Sequence, residues 1–157
     1  MKGKIGLEEH FAIDETISDS AGFLDDRVWP ELKENLLDFR EKRIGIMDQY
    51  NIQMMILSLN APAIQAIHEP KRAIEISHRS NDILAEEVNR LPDRFAGLAA
   101  LPMQSPEVAI EELERCVKDL GFIGILVNGF SQIGDPESAI YLDLPQYRDF
   151  WKKVEEL

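Results

Sequence analysis

The run Met54-Met55-Ile56-Leu57-Ser58 gives the clearest indication of the fold class. Its four consecutive apolar residues do not alternate with polar ones, which is the pattern of a strand buried on both faces, as in a parallel sheet. A second apolar run of this kind occupies residues 123–127. We therefore expect a parallel sheet, and parallel neighbours need long crossover connections, usually helices, between them.

On both sides of this run, predicted strands and helices alternate along the chain. Apolar residues recur at near-3.6 spacing in the helical segments, Pro70 and Ser105-Pro106 are typical helix starts, and Gly121 is suited to a left-handed helix end. The predicted strands cover residues 5–8, 54–58, 95–99 and 123–127, and the predicted helices cover residues 31–50, 70–91, 105–120 and from 145 onward.

Four strand–helix units imply one of two architectures, an open doubly wound sheet or a closed barrel of eight units, which takes roughly 250 residues. The chain has 157 residues and runs to Glu155-Glu156-Leu157 inside a helical pattern, without a stop signal. We expect an α/β fold in which residues 1–157 supply about the first four units, the N-terminal half, of a single (β/α)₈ TIM barrel. The long loops at 9–30, 59–70 and 128–144 all follow strands, so the carboxyl ends of the strands are the expected working face.

Composition excludes several functional classes. Acidic residues number 29 against 17 lysines and arginines, so the formal charge of −12 disfavours binding to nucleic acid or to anionic lipid. The single cysteine, Cys116, allows no internal disulfide and fits a reducing compartment. No apolar run approaches the length needed to span a membrane, and the N-terminus reaches acidic residues before any signal-like stretch. We expect a cytoplasmic protein.

Glu8-Glu9-His10 stands where the first strand should end. Because side chains alternate along a strand, Glu8 and His10 are predicted to point the same way. A carboxylate and an imidazole two residues apart are half of a plausible divalent metal site. The alternative, on spacing alone, is a surface turn.

The segment from Gly3 to Phe11 resembles the opening of the metal-dependent aromatic acid decarboxylases of the amidohydrolase superfamily, the gamma-resorcylate, 2,3-dihydroxybenzoate and salicylate decarboxylases. The resemblance is strongest to the gamma-resorcylate type, whose first strand carries Glu-x-His, and it extends over essentially all of the chain. Further matching segments follow in order, at residues 19–23, 56–62, 81–82, 92–95, 113–117, 119–122 and 127–131.

This resemblance implies a barrel with one divalent ion, Zn²⁺ or Mn²⁺, bound in part by Glu8 and His10. It also implies that the other ligands and the catalytic acid–base residues, among them the aspartate that protonates the ring, correspond to positions beyond Leu157. The implied reaction is the non-oxidative decarboxylation of a 2,6-dihydroxybenzoate-like acid. The metal holds the carboxylate and the neighbouring hydroxyl, and CO₂ leaves from the protonated ring.

Two further residues are candidates for substrate binding. Phe23 matches a family residue that packs on the aromatic substrate, and the alternative is a loop anchor against the rim. Asn128 follows the fourth strand and has the chemistry to hydrogen-bond a ring hydroxyl; the alternative is a turn residue beside Gly129. His68 and His78 are predicted to be surface residues, and Cys116 is predicted to lie in the core.

Three functions remain open on the sequence. The first is the decarboxylase, whose partner is a small aromatic carboxylic acid and whose family usually forms dimers or tetramers. The second is a metal-dependent hydrolase of the same superfamily, and the third is a non-catalytic α/β binding module, if the chain is complete. The isolated 157-residue polypeptide is predicted to be inactive and prone to association, because half a barrel exposes two strand edges.

Overall fold

The computed structural model describes residues 3–23 and 25–157, and it describes only the backbone of residues 22 and 23. Four parallel strands, β1 (Lys4–Phe11), β2 (Ile52–Leu59), β3 (Phe95–Ala99) and β4 (Gly124–Ile125), form one sheet in the order β1-β2-β3-β4. The helices are α1 (Trp29–Leu37), α2 (Glu41–Tyr50), α3 (Pro70–Arg90), α4 (Pro106–Lys118) and α5 (Arg148–Glu156). Short 3-10 helices cover Ile17–Phe23, Ala63–Ala66 and Pro145–Tyr147.

The strand order distinguishes the two architectures that the sequence left open. A doubly wound sheet reverses its strand order at a switch point, whereas a barrel adds each new strand beside the previous one. The four strands here are neighbours in strict sequence order, without a reversal. The winding is therefore that of a (β/α) barrel, and the prediction of four βα units is confirmed.

Strand β2 shows how the sheet separates its two faces. Met55, Leu57 and Leu59 point to one side and are buried beneath the helices, in the main hydrophobic core. Ile56 lies on the other side and is only partly buried. The apolar run predicted as a fully buried strand is thus buried completely on its helix-facing side, with its other side facing the inside of the curved sheet.

The prediction of a single helix over residues 31–50 is wrong, because this segment forms two helices, α1 and α2. Asp38, at the end of α1, is extended, with φ −92° and ψ 121°. Its carboxylate accepts hydrogen bonds from the backbone amides of Glu41 (3.1 Å) and Arg43 (2.9 Å), which are otherwise unsatisfied donors at the start of α2. Burial raises the pKa of Asp38, but hydrogen bonds from the backbone amides of residues 40–43 together outweigh it and hold the pKa below its ordinary value. Apolar periodicity runs through the break, so the spacing alone could not reveal it.

Helices α3 and α4 agree closely with their sequence patterns. Both begin at a proline, and Gly121, with φ +73°, ends the turn that follows α4. The predicted stripe of α4 is buried at Ala109, Leu113 and Cys116. The predicted core position of Cys116 is therefore confirmed.

Strand β4 and the long loop after it differ from the prediction. The strand pairs over two residues only, Gly124 with Leu98 and Ile125 with Ala99. The predicted loop 128–144 contains an antiparallel hairpin, β5 (Phe130–Ser131) with β6 (Ile140–Tyr141). Two-residue strands carry too little periodicity to be detected in sequence.

A buried carboxylate joins α3 to α4. Glu112 is 1% exposed; it accepts hydrogen bonds from Asn81 Nδ2 (2.7 Å) and from both Nε (2.7 Å) and Nη2 (2.8 Å) of Arg115. The carboxamide of Asn81 in turn pairs with both backbone groups of Ala100, just beyond β3. The charge is tolerated in the core because its oxygens are paired, and the network anchors the carboxyl end of β3.

No helix within the described ranges combines the length and the apolar character required to cross a membrane.

Candidate functional site

The candidate metal ligands, Glu8 and His10, lie near the carboxyl end of β1, the strand that pairs with β2. Gly6 pairs with Met55 and Glu9 pairs with Leu57, so β1 takes three steps where β2 takes two. This irregularity is a β-bulge at Leu7 and Glu8, a feature that re-aims side chains near strand ends. Strict alternation, which predicted a shared direction for Glu8 and His10, therefore does not apply between these residues.

Glu8 and His10 nevertheless line the same cavity, at the carboxyl ends of the parallel strands. The cavity has a volume of about 840 Å³, and Asn60, Gln65 and Asn128 also line it. The structure thus brings together three residues that the sequence singled out, Glu8, His10 and Asn128. This is the expected working face of a parallel α/β fold.

His10 is held by hydrogen bonds both at its imidazole ring and at its backbone carbonyl. Its Nδ1 forms a 3.0 Å hydrogen bond with the hydroxyl of Ser58, the residue that it pairs with on β2. Its backbone carbonyl accepts a 2.8 Å hydrogen bond from Nη2 of Arg43. With Nδ1 engaged, Nε2 is the ring nitrogen available to a metal, and such a partner is the usual way in which proteins orient a histidine ligand.

Arg43 is a buried cation at the rim of this site. Its guanidinium also donates to the carbonyls of Asp38 (2.9 Å) and Asn35 (3.1 Å), so it ties α1 and α2 to the end of β1. Burial lowers the pKa of Arg43 from its ordinary value, and the nearby carboxylates of Glu9 and Asp38 oppose that shift. Basic residues interleaved with acidic ones, as around Arg43, are typical of a solvated helix face, but Arg43 is buried and its guanidinium donates to carbonyl oxygens.

The loop after β1 is fastened to the end of β2 by Asn60, which is 2% exposed. Its side-chain oxygen accepts from Thr16 Oγ1 (2.8 Å), and its Nδ2 donates to Thr16 O (3.0 Å) and to Ser20 Oγ (2.8 Å). Ser20, in the 3-10 helix Ile17–Phe23, thereby lies in the wall of the cavity. Ser58 and Asn60 were not identified as site residues; the available signal was that they are the first polar residues after the apolar run of β2.

Asn128 lies in the loop after β4 and is held by the loop after β2. Its Nδ2 donates to Pro62 O (3.2 Å), and its amide N–H donates to Gln65 Oε1. The structure places it on the cavity, as the substrate-binding hypothesis requires, and the role itself stays a prediction. The side chain of Phe23, the other predicted substrate contact, lies outside the described residues.

The donor set at this site suits a divalent metal but is incomplete. Across residues 3–23 and 25–157, the structure brings together no group of three histidine, cysteine, aspartate or glutamate side chains able to hold a metal. Carboxylate and imidazole are ligands that Zn²⁺ and Mn²⁺ both accept, so Glu8 and His10 fit as two ligands of such an ion.

The remaining candidate residues have structural roles. His78 is 46% exposed on its side chain and lies 3.1 Å from Glu112, in agreement with its predicted place on the surface. Burial raises the pKa of the Cys116 thiol above its ordinary value, and the neighbouring Glu112 carboxylate adds to the shift. A thiol in this environment is a poor nucleophile.

Known proteins resemble this chain both in sequence and in fold. Residues 20–157 match the family described as Amidohydrolase. The gamma-resorcylate decarboxylase of Rhizobium radiobacter is 60% identical over 157 residues, which cover 100% of this chain and 48% of that protein. This chain spans about half the length of the curated relatives it matches.

Two solved structures share the fold. A 2,6-dihydroxybenzoate decarboxylase complexed with 2,6-dihydroxybenzoate superposes with a TM-score of 0.96 at 59% identity, over 99% of this chain and 48% of that one. A dihydroxybenzoic acid decarboxylase from Polaromonas sp. JS666, with bound manganese and the inhibitor 2-nitroresorcinol, gives a TM-score of 0.95 at 57% identity, over 99% and 47%. The fold of this chain is that of about half of an amidohydrolase TIM barrel, as predicted.

Proposed function

Because this chain belongs to the amidohydrolase family, we propose that it is the N-terminal half of a single-barrel, metal-dependent decarboxylase. The substrate is a small hydroxybenzoate of the 2,6-dihydroxybenzoate kind, and the products are CO₂ and the corresponding phenol. The observation that carries the proposal is the meeting of Glu8, His10 and Asn128 on one cavity at the carboxyl ends of the strands. The names and the 57–60% identities of the relatives support the same substrate class.

Glu8 and His10 would hold the metal through a carboxylate oxygen and Nε2. Bound there, a divalent ion supplies a positive charge for the substrate carboxylate and the adjacent phenolic oxygen. Manganese is favoured because it is bound in a solved relative, and zinc is the alternative. Catalytic metals generally have at least three protein ligands, so the other ligands belong to a part of the whole enzyme outside this chain.

The chain's own residues would orient the substrate. Asn128 Oδ1 is an acceptor suited to a phenolic hydroxyl of the ring, because the amide nitrogen of that side chain is already bonded to Pro62 O. The ring of Phe23 would pack on the aromatic substrate, a contact worth roughly 1 kcal/mol. From the family resemblance, we infer that the proton that replaces CO₂ on the ring comes from an aspartate in the part of the enzyme outside this chain.

The proposal extends to the setting of the enzyme. We infer a cytoplasmic protein from the single, buried cysteine, and a dimer or tetramer from the family resemblance. Size measurement of the purified product of the whole gene tests the oligomeric state.

The test of function is CO₂ release from 2,6-dihydroxybenzoate by the full-length product of the gene, loaded with Mn²⁺. We expect the wild-type protein to release CO₂. Each single substitution, Glu8→Gln or His10→Ala, should abolish both this activity and tight Mn²⁺ binding. The matched controls are Glu86→Gln, an exposed glutamate of α3, and His68→Gln, outside the site; both should retain activity. Hydrolysis of lactones or amides without CO₂ release would favour the hydrolase instead, and the absence of both reactions and of metal binding would favour the binding module.

A further inference from the structure

Gln65 is the residue through which the loop after β2 contacts the loop after β4. It lies in the 3-10 helix Ala63–Ala66, is 5% exposed and lines the cavity. Its Nε2 donates to the carbonyls of Asn128 (3.1 Å) and Phe130 (2.8 Å) and to Ser131 Oγ (3.0 Å). Its Oε1 accepts from the amide of Asn128. Both ends of the carboxamide are therefore used on one partner loop.

This set of bonds requires a glutamine. The two hydrogens of Nε2 face three oxygen acceptors, while Oε1 faces an N–H donor, so the group must be a donor at one end and an acceptor at the other. A glutamate would place a second oxygen against two carbonyls, and a methionine of similar length would leave the carbonyls and the amide without partners. These groups are partly or fully buried, which makes the loss of their partners costly.

The consequence falls on Asn128. Gln65 holds both its backbone N–H and its backbone carbonyl, and Pro62, three residues earlier in the same loop, holds its Nδ2. The position of Asn128 Oδ1 relative to His10 is therefore set by the loop after β2, because β4 itself pairs over only two residues. Phe130, which also lines the cavity, is held in the same way through its carbonyl.

We propose that Gln65 is a positioning residue for the substrate: it sets the place of Asn128 and Phe130 on the cavity and thereby substrate affinity, without touching the metal ligands. The inference rests on the proposed function, in which Asn128 contacts the ring hydroxyl. Removal of the carboxamide should weaken substrate binding more than it slows turnover.

The kinetic test compares Gln65→Met with Gln104→Met in the full-length, Mn²⁺-loaded gene product. Gln104 is the matched control, because it is also buried and donates to two carbonyls of the loop after β2, those of Ile64 (2.6 Å) and Ile67 (2.8 Å). None of its described hydrogen bonds reaches the loop after β4. We expect the KM for 2,6-dihydroxybenzoate to rise about tenfold or more in Gln65→Met, with a smaller change in kcat and unchanged Mn²⁺ affinity. In Gln104→Met, which loosens the loop after β2 but leaves both ends of the Gln65 carboxamide bonded to the loop after β4, KM should rise less than in Gln65→Met.

A second measurement uses amide hydrogen exchange. In Gln65→Met the Asn128 amide, which loses its acceptor, should exchange at least about tenfold faster. The Gln132 amide is an internal control because it donates to the backbone carbonyl of Gln65 (2.8 Å), which the substitution leaves in place. If Gln65→Met does not fold, Gln65→Glu replaces it, with the same expected rise in KM.

Equal KM increases in the Gln65 and Gln104 variants, or unchanged exchange at Asn128, would overturn the inference. A wild-type enzyme without CO₂ release would instead overturn the proposed function, and the exchange rates would still decide whether Gln65 holds the loop. The two failures are therefore distinguishable.

Discussion

The hydroxyl of Ser58 makes a hydrogen bond that bears directly on the candidate metal site. Ser58 is fully buried and bonds Nδ1 of His10, which leaves Nε2 for the metal. We expect Ser58→Ala to weaken Mn²⁺ binding by the full-length protein about 10- to 100-fold, because the ring loses the partner that fixes its orientation and tautomer. Titration followed by the electron paramagnetic resonance signal of free Mn²⁺ measures this affinity.

Ser80→Ala is the matched control for that experiment. Ser80 is also fully buried, but its hydroxyl donates to the carbonyl of Ile76 within α3, away from the site. The control should bind Mn²⁺ as the wild type does. A Ser58→Ala protein with unchanged Mn²⁺ affinity would show that Ser58 does not orient a metal ligand.

Cys116 makes stability depend on pH in a direction that its burial determines. Burial raises the pKa of the folded-state thiol, whereas the thiol of the unfolded chain ionises near its ordinary pKa of about 8.5. The stabilising difference is complete below that pKa and is lost as pH rises above it, because only the unfolded state then releases the proton. Between about pH 8.5 and 9.5, the free energy of unfolding should fall by about 1 kcal/mol more in the wild type than in Cys116→Ala.

Urea denaturation of both proteins across that pH range measures the effect, and the comparison cancels the titration of the other groups. Parallel pH dependences in the two proteins would mean that the Cys116 thiol ionises as readily in the folded state as in the unfolded one.

At the scale of the element, two glycines test how backbone conformation ends or weakens a helix. Gly121 has φ +73° after α4, whereas Gly45 lies exposed inside α2, where an added Cβ meets nothing within 4 Å. Gly121→Ala should destabilise the protein by about 1 kcal/mol, since alanine disfavours positive φ. Gly45→Ala should stabilise it by about 0.5–1 kcal/mol, because alanine has the higher helix propensity.

The midpoints of urea unfolding for the two variants measure these opposite changes. The same substitution made in two conformations separates the backbone effect from the added methyl group. A shift of the same sign in both variants would contradict the assignment of Gly121 as a left-handed helix end.

Elements also differ in how well sequence predicts them. Helices α3 and α4 were predicted within one or two residues at their starts, because proline and glycine mark their boundaries. The break between α1 and α2 was missed, because it depends on the carboxylate of Asp38 folding back to cap the next helix. That capping competes with helical propensity locally and leaves the apolar spacing unchanged.

At the scale of the whole molecule, the two candidate metal ligands define what the 157-residue chain can do alone. Glu8 and His10 are two ligands, and the part of the chain that the structure describes holds no third group beside them that completes a metal cluster. We expect the 157-residue polypeptide to bind Mn²⁺ weakly and to release no CO₂ from 2,6-dihydroxybenzoate, since catalytic sites use at least three protein ligands.

Isothermal titration with Mn²⁺, and a CO₂ assay at saturating metal, test this expectation against the full-length gene product as the positive control. Robust turnover by the 157-residue chain would show that its own residues complete the site, and it would require a different assignment of the ligands.

Local sequence patterns are enough to predict the parallel α/β class, the four βα units and the strand end that carries Glu8 and His10. These features depend on apolar periodicity, on proline and glycine at boundaries, and on residue types at short spacing, all of which are local. Other features are visible only in the folded chain, namely the bulge in β1, the bond from Ser58 to His10 and the contacts of Gln65 with a loop more than 60 residues away. Contacts of that kind depend on which chain segments meet at the ends of the sheet, and a single sequence carries no local signal of that meeting.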